Sequence, residues 1–163
     1  MLGLEFEVRP AQGGEYPPEH AGPGETVIAL AAAKAEEAAE HSGPDDVIIA
    51  ADTIVWLDGR LLGKPHSERE AAQMLRALSG REHEVWTGLC LLRGGRRLTG
   101  AELTKVRFRA LSDEEIAAYI ATGEPMDKAG AYGAQGLASL FVEGITGDFF
   151  NVMGLPLCRL GKL

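Results

Sequence analysis

Apolar positions along the chain change period several times, and each change marks an element. Between Thr26 and His41 they recur at helical spacing. Val27, Leu30, Ala31 and Ala38 share one stripe, Glu36 and Glu40 lie opposite, and Gly43-Pro44 stops the run. Val47 to Ala51 is a short continuous apolar run, which suits a buried strand. It ends at Asp52-Thr53. A second short strand, Ile54 to Leu57, leads to Asp58-Gly59, and that dipeptide predicts a hairpin returning antiparallel over Arg60 to Leu62.

Ser67 to Ser79 reads as a helix. Ser67 and Glu70 make a capping-box pair, Ala71, Met74, Leu75 and Leu78 form the inner face, and Gly80 ends it. Glu84 to Leu92 and Arg97 to Arg109 alternate as long strands joined by Gly94-Gly95. Ser112 to Thr122 repeats the capping box with Ser112 and Glu115, places Leu111 and Ile116 at staple positions, and closes at Gly123. The Gly-rich stretch Gly123 to Gly136 follows, then a strand near Leu137 to Val142 and a short C-terminal helix. Ala11 to Gly24, rich in Gly and Pro, reads as a loop. Strands and helices mix without strict alternation. The class is therefore α/β of mixed, α+β character in a single domain, neither a barrel nor a regular doubly wound sheet.

Composition and charge narrow the partners. The 163 residues are 45% hydrophobic and 25% charged, enough apolar content for one packed core. Sixteen Lys and Arg against 24 Asp and Glu leave a net charge of −8. Such a surface repels nucleic acid and anionic membranes, so neither is an expected partner. A small anionic substrate stays open, because a few placed lysines and a divalent cation reverse the sign locally. No apolar run reaches transmembrane length, and Met1 to Pro10 lack the apolar core of a signal peptide, so the expected location is the cytoplasm. Cys90 and Cys158 show no metal spacing and read as two buried, reduced thiols. His20, His41, His66 and His83 are scattered without ligand spacing and read as surface or satisfied structural residues.

Four features are candidates for chemistry. Asp52 is expected at the carboxyl end of an apolar strand, where open α/β sheets place ligands, with Ile48 to Ala51 and Ile54-Val55 desolvating it. Its structural alternative is a turn cap. Lys34 falls inside an apolar stripe, either snorkelling from under its helix or held over a site as a cation. Gly63-Lys64-Pro65 by itself reads as a turn with a solvated lysine. The segment 123–136 packs four glycines, opposite charges and an amide together, a make-up that suits a ligand-lining loop or an ordinary connection. It matches neither the Walker nor the dinucleotide pattern, and no Gly-x-Ser-x-Gly elbow supports a serine hydrolase.

Together these pieces resemble the Maf family of nucleoside triphosphate pyrophosphatases. The resemblance rests on Ala51-Asp52-Thr53-Ile54-Val55, Leu62-Gly63-Lys64-Pro65, Leu78-Ser79-Gly80, His83, Thr87-Gly88 and Thr104-Lys105-Val106-Arg107-Phe108. It continues through Gly123-Glu124-Pro125, Asp127-Lys128-Ala129-Gly130-Ala131-Tyr132-Gly133, Gln135-Gly136, Gly147-Asp148 and Asn151-Val152-Met153-Gly154. The ordered set runs nearly end to end.

The resemblance implies a bent mixed sheet flanked by helices around a central cleft. It implies hydrolysis of a nucleoside triphosphate to the monophosphate and pyrophosphate with a divalent metal, Mg²⁺ or Mn²⁺. Asp52 would be the proton acceptor or a metal ligand, with Glu15 beside the metal. Lys34 and Lys64 would meet phosphate, with Lys128 also in the substrate site, and Thr53 and Gln135 would read the base. The motifs look like the branch favouring dTTP and UTP, although Ala134 stands where a larger aliphatic residue is usual. The family's opening strand, helix and Ser-x-Pro-Arg-Arg segment have no counterpart before Met1, so the reading is of a Maf-like domain whose natural start lies upstream. A homodimer is the expected assembly. The competing expectation is a non-catalytic nucleotide-binding regulator of septum formation.

Overall fold

The computed structural model describes residue 3, residues 5–14 and residues 16–163. Glu15 therefore lies outside the described residues. Among the described residues five strands form one sheet: β1 (Ile48–Leu57), β2 (Arg60–Leu62), β3 (Glu82–Arg93), β4 (Arg96–Phe108) and β5 (Val142–Thr146). Their order is β2-β1-β3-β4-β5, and each pairing is antiparallel, where the resemblance implies a mixed sheet. Helix α1 (Pro23–Ala39) covers one face, while α2 (Glu68–Leu78) and α3 (Asp113–Ile120) pack on the other. No helix among the described residues is long and apolar enough to cross a membrane.

The hairpins follow their turn chemistry. Asp58 and Gly59, both at positive φ, close β1 onto β2, and Gly94 and Gly95 (φ 53° and 81°) close β3 onto β4. Ser112 caps α3 with its reciprocal Glu115. At α2 only half of the box forms. Ser67 accepts from the Glu70 N–H, but the Glu70 carboxylate takes the His66 N–H instead.

Several boundaries differ from the sequence reading. Helix α1 starts at Pro23, because a proline at the first helical position gives up an N–H that would be unpaired anyway. Leu137–Leu140 is a 3-10 turn, and the strand runs over Val142–Thr146, the stretch that finds β4 to pair with. The C-terminus holds two one-turn helices, α4 (Phe149–Val152) and α5 (Leu157–Leu160). Cys90 is buried under α1 as expected, but Cys158 is exposed because the short α5 buries no side chain.

The two strands expected around Asp52-Thr53 are one. β1 passes through both residues, pairing Asp52 with Gly88 and Thr53 with Thr87. Asp52 is therefore in mid-strand, not at a strand end. Alternation sends Ile54 and Trp56, in phase with Asp52, toward α1, and Val55 and Leu57, in phase with Thr53, into the larger core under α2 and α3.

His83 belongs to that larger core. It packs edge-on against Phe108 and Tyr132, its Nε2 shares a 2.7 Å hydrogen bond with the Tyr132 hydroxyl, and its Nδ1 finds no hydrogen-bond partner among the described residues. It is thus buried but only half satisfied. Burial disfavours the imidazolium and lowers its pKa from 6.5 to about 4. The folded state then binds fewer protons than the unfolded chain in that window. Stability is fully present above pH 6.5 and is lost as pH falls toward 4, by about 3 kcal/mol in total. Denaturant unfolding between those pH values should show this slope, and His83→Gln should flatten it. Equal slopes in both proteins would remove His83 as the source.

Candidate functional site

Strand β2 pairs with β1 only from Val55 to Leu57. Just before that pairing, Ala51 to Val55 line a cleft of about 460 Å³, a size suited to a nucleotide-like ligand. The same cleft is lined by Lys34, Lys64, Lys128, Thr53 and Gln135. Residues singled out on four separate stretches of sequence are thus brought to one place. Glu15, the remaining candidate, is outside the described residues.

Lys34 reaches this floor because of how α1 packs. Gly88 lies on the strand beside Asp52, and the backbone of α1 presses so close that a Cβ on Gly88 would lie 2.1 Å from the Val27 carbonyl oxygen. The helix therefore sits low enough for Lys34 Nζ to donate to Asp52 Oδ1. Asp52 is almost fully buried, whereas the Lys34 side chain is 28% exposed. The lysine extends from the helix face with its ammonium on Asp52 at the edge of the cleft. An adjacent ammonium favours the charged form of a carboxylate, whose oxygens are then acceptors only.

The opposite wall is built by two segments tied together. Gly130 N–H donates to Gly63 O at 3.0 Å, joining the Gly-rich loop to the turn that carries Lys64. Gly130 has φ 67°, and a Cβ there would meet Val55 at 2.8 Å, so only glycine lets this loop lie against β1. Lys128 donates to the Asp127 carboxylate at 2.8 Å. That hydrogen bond, then the Lys128 charge and the more distant Lys64 charge, hold the Asp127 carboxyl below its ordinary range. Lys64 is exposed, as a turn lysine would be, and it lines the same cleft as Lys128.

Gln135 is held by a latch that the sequence reading did not identify. One carboxylate oxygen of Glu124 accepts from the Tyr119 hydroxyl at 2.9 Å and the other from the Leu137 N–H at 3.1 Å, bracketing the loop at both ends. Gly133 N–H donates to the same Tyr119 hydroxyl. A Cβ on Gly136 would fall 2.1 Å from Glu124 Oε1, so the latch needs glycine there.

Beneath Thr53 runs a buried polar chain that was also missed. Thr53 Oγ1 and Thr87 Oγ1 are 2.8 Å apart, and Thr87 Oγ1 donates to the Asn151 backbone carbonyl at 3.0 Å. The Asn151 amide donates to Val85 O and to Thr104 Oγ1, and Thr104 Oγ1 donates to Asp148 O. Thr87, Thr104 and Asn151 are fully buried. A signal existed: Thr87 is in phase with Val85 and Leu89, and Thr104 with Val106 and Phe108, so a hydroxyl falls on each strand's core face.

The sequence model of a family described as Maf-like protein matches residues 1–163. A dTTP/UTP pyrophosphatase of Thermococcus gammatolerans is 53% identical over 141 residues, 86% of this chain and 75% of that protein. The dTTP/UTP pyrophosphatase of Pyrococcus furiosus is 50% identical over 160 residues, 98% of this chain and 84% of its own length. That of Thermococcus kodakarensis is 48% identical over 159 residues, with the same two shares.

Proposed function

Since the chain belongs to the Maf family, we propose that its cleft hydrolyses nucleoside triphosphates, UTP and dTTP foremost, to the monophosphate and pyrophosphate. The observation that carries this is the Lys34–Asp52 ion pair on the floor of a cleft whose far wall presents Lys64 and Lys128. Splitting a phosphoanhydride needs an oriented water, an acceptor for its proton and positive charge around the phosphates. Lys64 and Lys128 supply charge from one side and Lys34 from the other. As phosphate oxygens take up the Lys34 ammonium, the Asp52 carboxylate is left to orient the water and accept its proton. Thr53 and Gln135 then face the base, where a hydroxyl and an amide match the polar edge of a pyrimidine.

The donor set suits a metal that arrives on the substrate. Asp52 and Asp127 line the cleft, and no group of three or more His, Cys, Asp or Glu side chains placed to hold a cation occurs among the described residues. Mg²⁺ and Mn²⁺ bind in this way, through one or two carboxylates with the rest of the shell from phosphate oxygens and water. Asp52 would hold the ion, joined by Glu15 as the family resemblance suggests. When bound, the ion neutralises phosphate charge and makes a coordinated water more acidic. A homodimer acting on the cytoplasmic nucleotide pool completes the proposal.

The test is pyrophosphate release with Mg²⁺ or Mn²⁺ across UTP, dTTP, CTP, ATP and GTP. UTP and dTTP should exceed the others in kcat/KM by at least about tenfold, or ~1.4 kcal/mol. Nucleotide binding without any release would instead favour a regulatory protein and overturn the enzymatic reading.

A further inference from the structure

The hydroxyl of Thr53 has a fixed polarity, and Thr87 sets it. A threonine hydroxyl carries one proton and two acceptor lone pairs. Thr87 spends its proton on the backbone carbonyl of Asn151 at 3.0 Å. In the 2.8 Å contact between Thr53 Oγ1 and Thr87 Oγ1, the donor must then be Thr53. Both residues are anchored in one cross-strand pair of β1 and β3, and Asn151 is locked by its amide bonds to Val85 and Thr104, so the chain of donors cannot easily reverse. Thr53 therefore offers the cleft lone pairs only.

We infer that Thr87, through the Asn151 carbonyl, positions Thr53 as an obligate acceptor, and that this polarity selects uracil and thymine over cytosine. The inference deepens the proposed function and rests on its assignment of Thr53 to the base. Uracil and thymine carry one donor on their pairing edge, N3–H, flanked by two carbonyls. An acceptor-only hydroxyl meets that donor, and Gln135 on the adjoining wall has an amide NH₂ for a carbonyl beside it. Cytosine presents a bare N3 at the same place. Lone pairs would face lone pairs, and the desolvated mismatch is the kind that discriminates strongly. The C5 position, where thymine has a methyl and uracil a hydrogen, takes no part in this selection, so both bases are accepted. Thr87 is a positioning residue, since it acts on the base only through Thr53.

The experiment compares kcat/KM for UTP and CTP in the wild-type protein and in Thr87→Val, Thr87→Ser and Thr53→Val. Thr87→Val keeps the shape but removes the acceptor for the Thr53 proton, which then swings into the cleft. CTP should gain on UTP by about tenfold, the worth of one hydrogen bond. Thr87→Ser keeps the relay and should restore the wild-type ratio, which loss of packing alone would not predict. Thr53→Val should also collapse the ratio, but through loss of UTP. If Thr53→Val collapses it while a folded Thr87→Val leaves it unchanged, the positioning role is overturned and the base assignment survives. If Thr53→Val also leaves it unchanged, the base assignment falls and this inference with it. A variant-free arm covers misfolding: 5-fluoro-UTP has a more acidic N3–H than UTP, so its kcat/KM should fall at a lower pH. Superimposed pH profiles would overturn the acceptor polarity.

Discussion

Asp52→Asn should lower kcat by about 10²- to 10⁴-fold, the range of a positioned general base. Nucleotide affinity should stay within about tenfold of wild type, or ~1.4 kcal/mol. The two effects separate because of the ion pair. The carboxylate is the acceptor on the cleft floor, so its loss strikes the step in which water gives up a proton. Binding is carried by cations, and the substitution leaves all three lysines in place. It also removes a negative charge beside Lys34, which strengthens the pull of that lysine on phosphate. Stability should change modestly, because the Lys34 side chain is 28% exposed and its ammonium is not sealed from water as a fully buried partner would be. Steady-state kinetics on UTP with a direct measure of nucleotide Kd distinguishes the outcomes. A large rise in Kd at unchanged kcat would make Asp52 a binding group. Unchanged kcat and Kd would remove it from the site.

Much of this site was legible because its residues break local rules. A lysine in an apolar helical stripe and an aspartate flanked by apolar runs are each unfavourable alone. Each announces a partner, and the partners proved to be one another. Glycine-marked turns were read for the same reason, since positive φ at Gly94, Gly95 and Gly123 excludes most residues. What stayed hidden depends on tertiary pairing. The continuity of β1 through Asp52-Thr53 comes from nine register partners on β3, which no local propensity encodes. The strand at Val142–Thr146 rather than Leu137–Val142 was likewise decided by β4. The Glu124 latch joins residues thirteen apart through a tyrosine on α3, and the Thr87–Asn151 bond spans 64 positions. Hydroxyl polarity is further removed still, because it follows only from counting protons along that buried chain.

Gly88→Ala should destabilise the protein by about 3 kcal/mol or more and disable the site at a distance. The added Cβ would lie 2.1 Å from the Val27 carbonyl oxygen, 2.3 Å from its carbon and 2.7 Å from the Ile28 nitrogen. These are backbone atoms of α1, so no rotamer change relieves the clash. The helix must lift from the sheet instead. Val27, Leu30 and Ile54 then lose their close packing, and Lys34, two turns further along the same helix, is drawn off Asp52. Loss of stability and loss of turnover should therefore appear together in this variant, although Gly88 itself touches no substrate. Gly144→Ala in β5 is the control, because nothing lies within 4 Å of the Cβ it would add, and it should shift stability by less than about 0.5 kcal/mol. Denaturant midpoints and UTP turnover of the two variants settle the point. A Gly88→Ala protein as stable as the Gly144→Ala control would mean that α1 does not ride on the sheet at that residue, and the placement of Lys34 over Asp52 would need another cause.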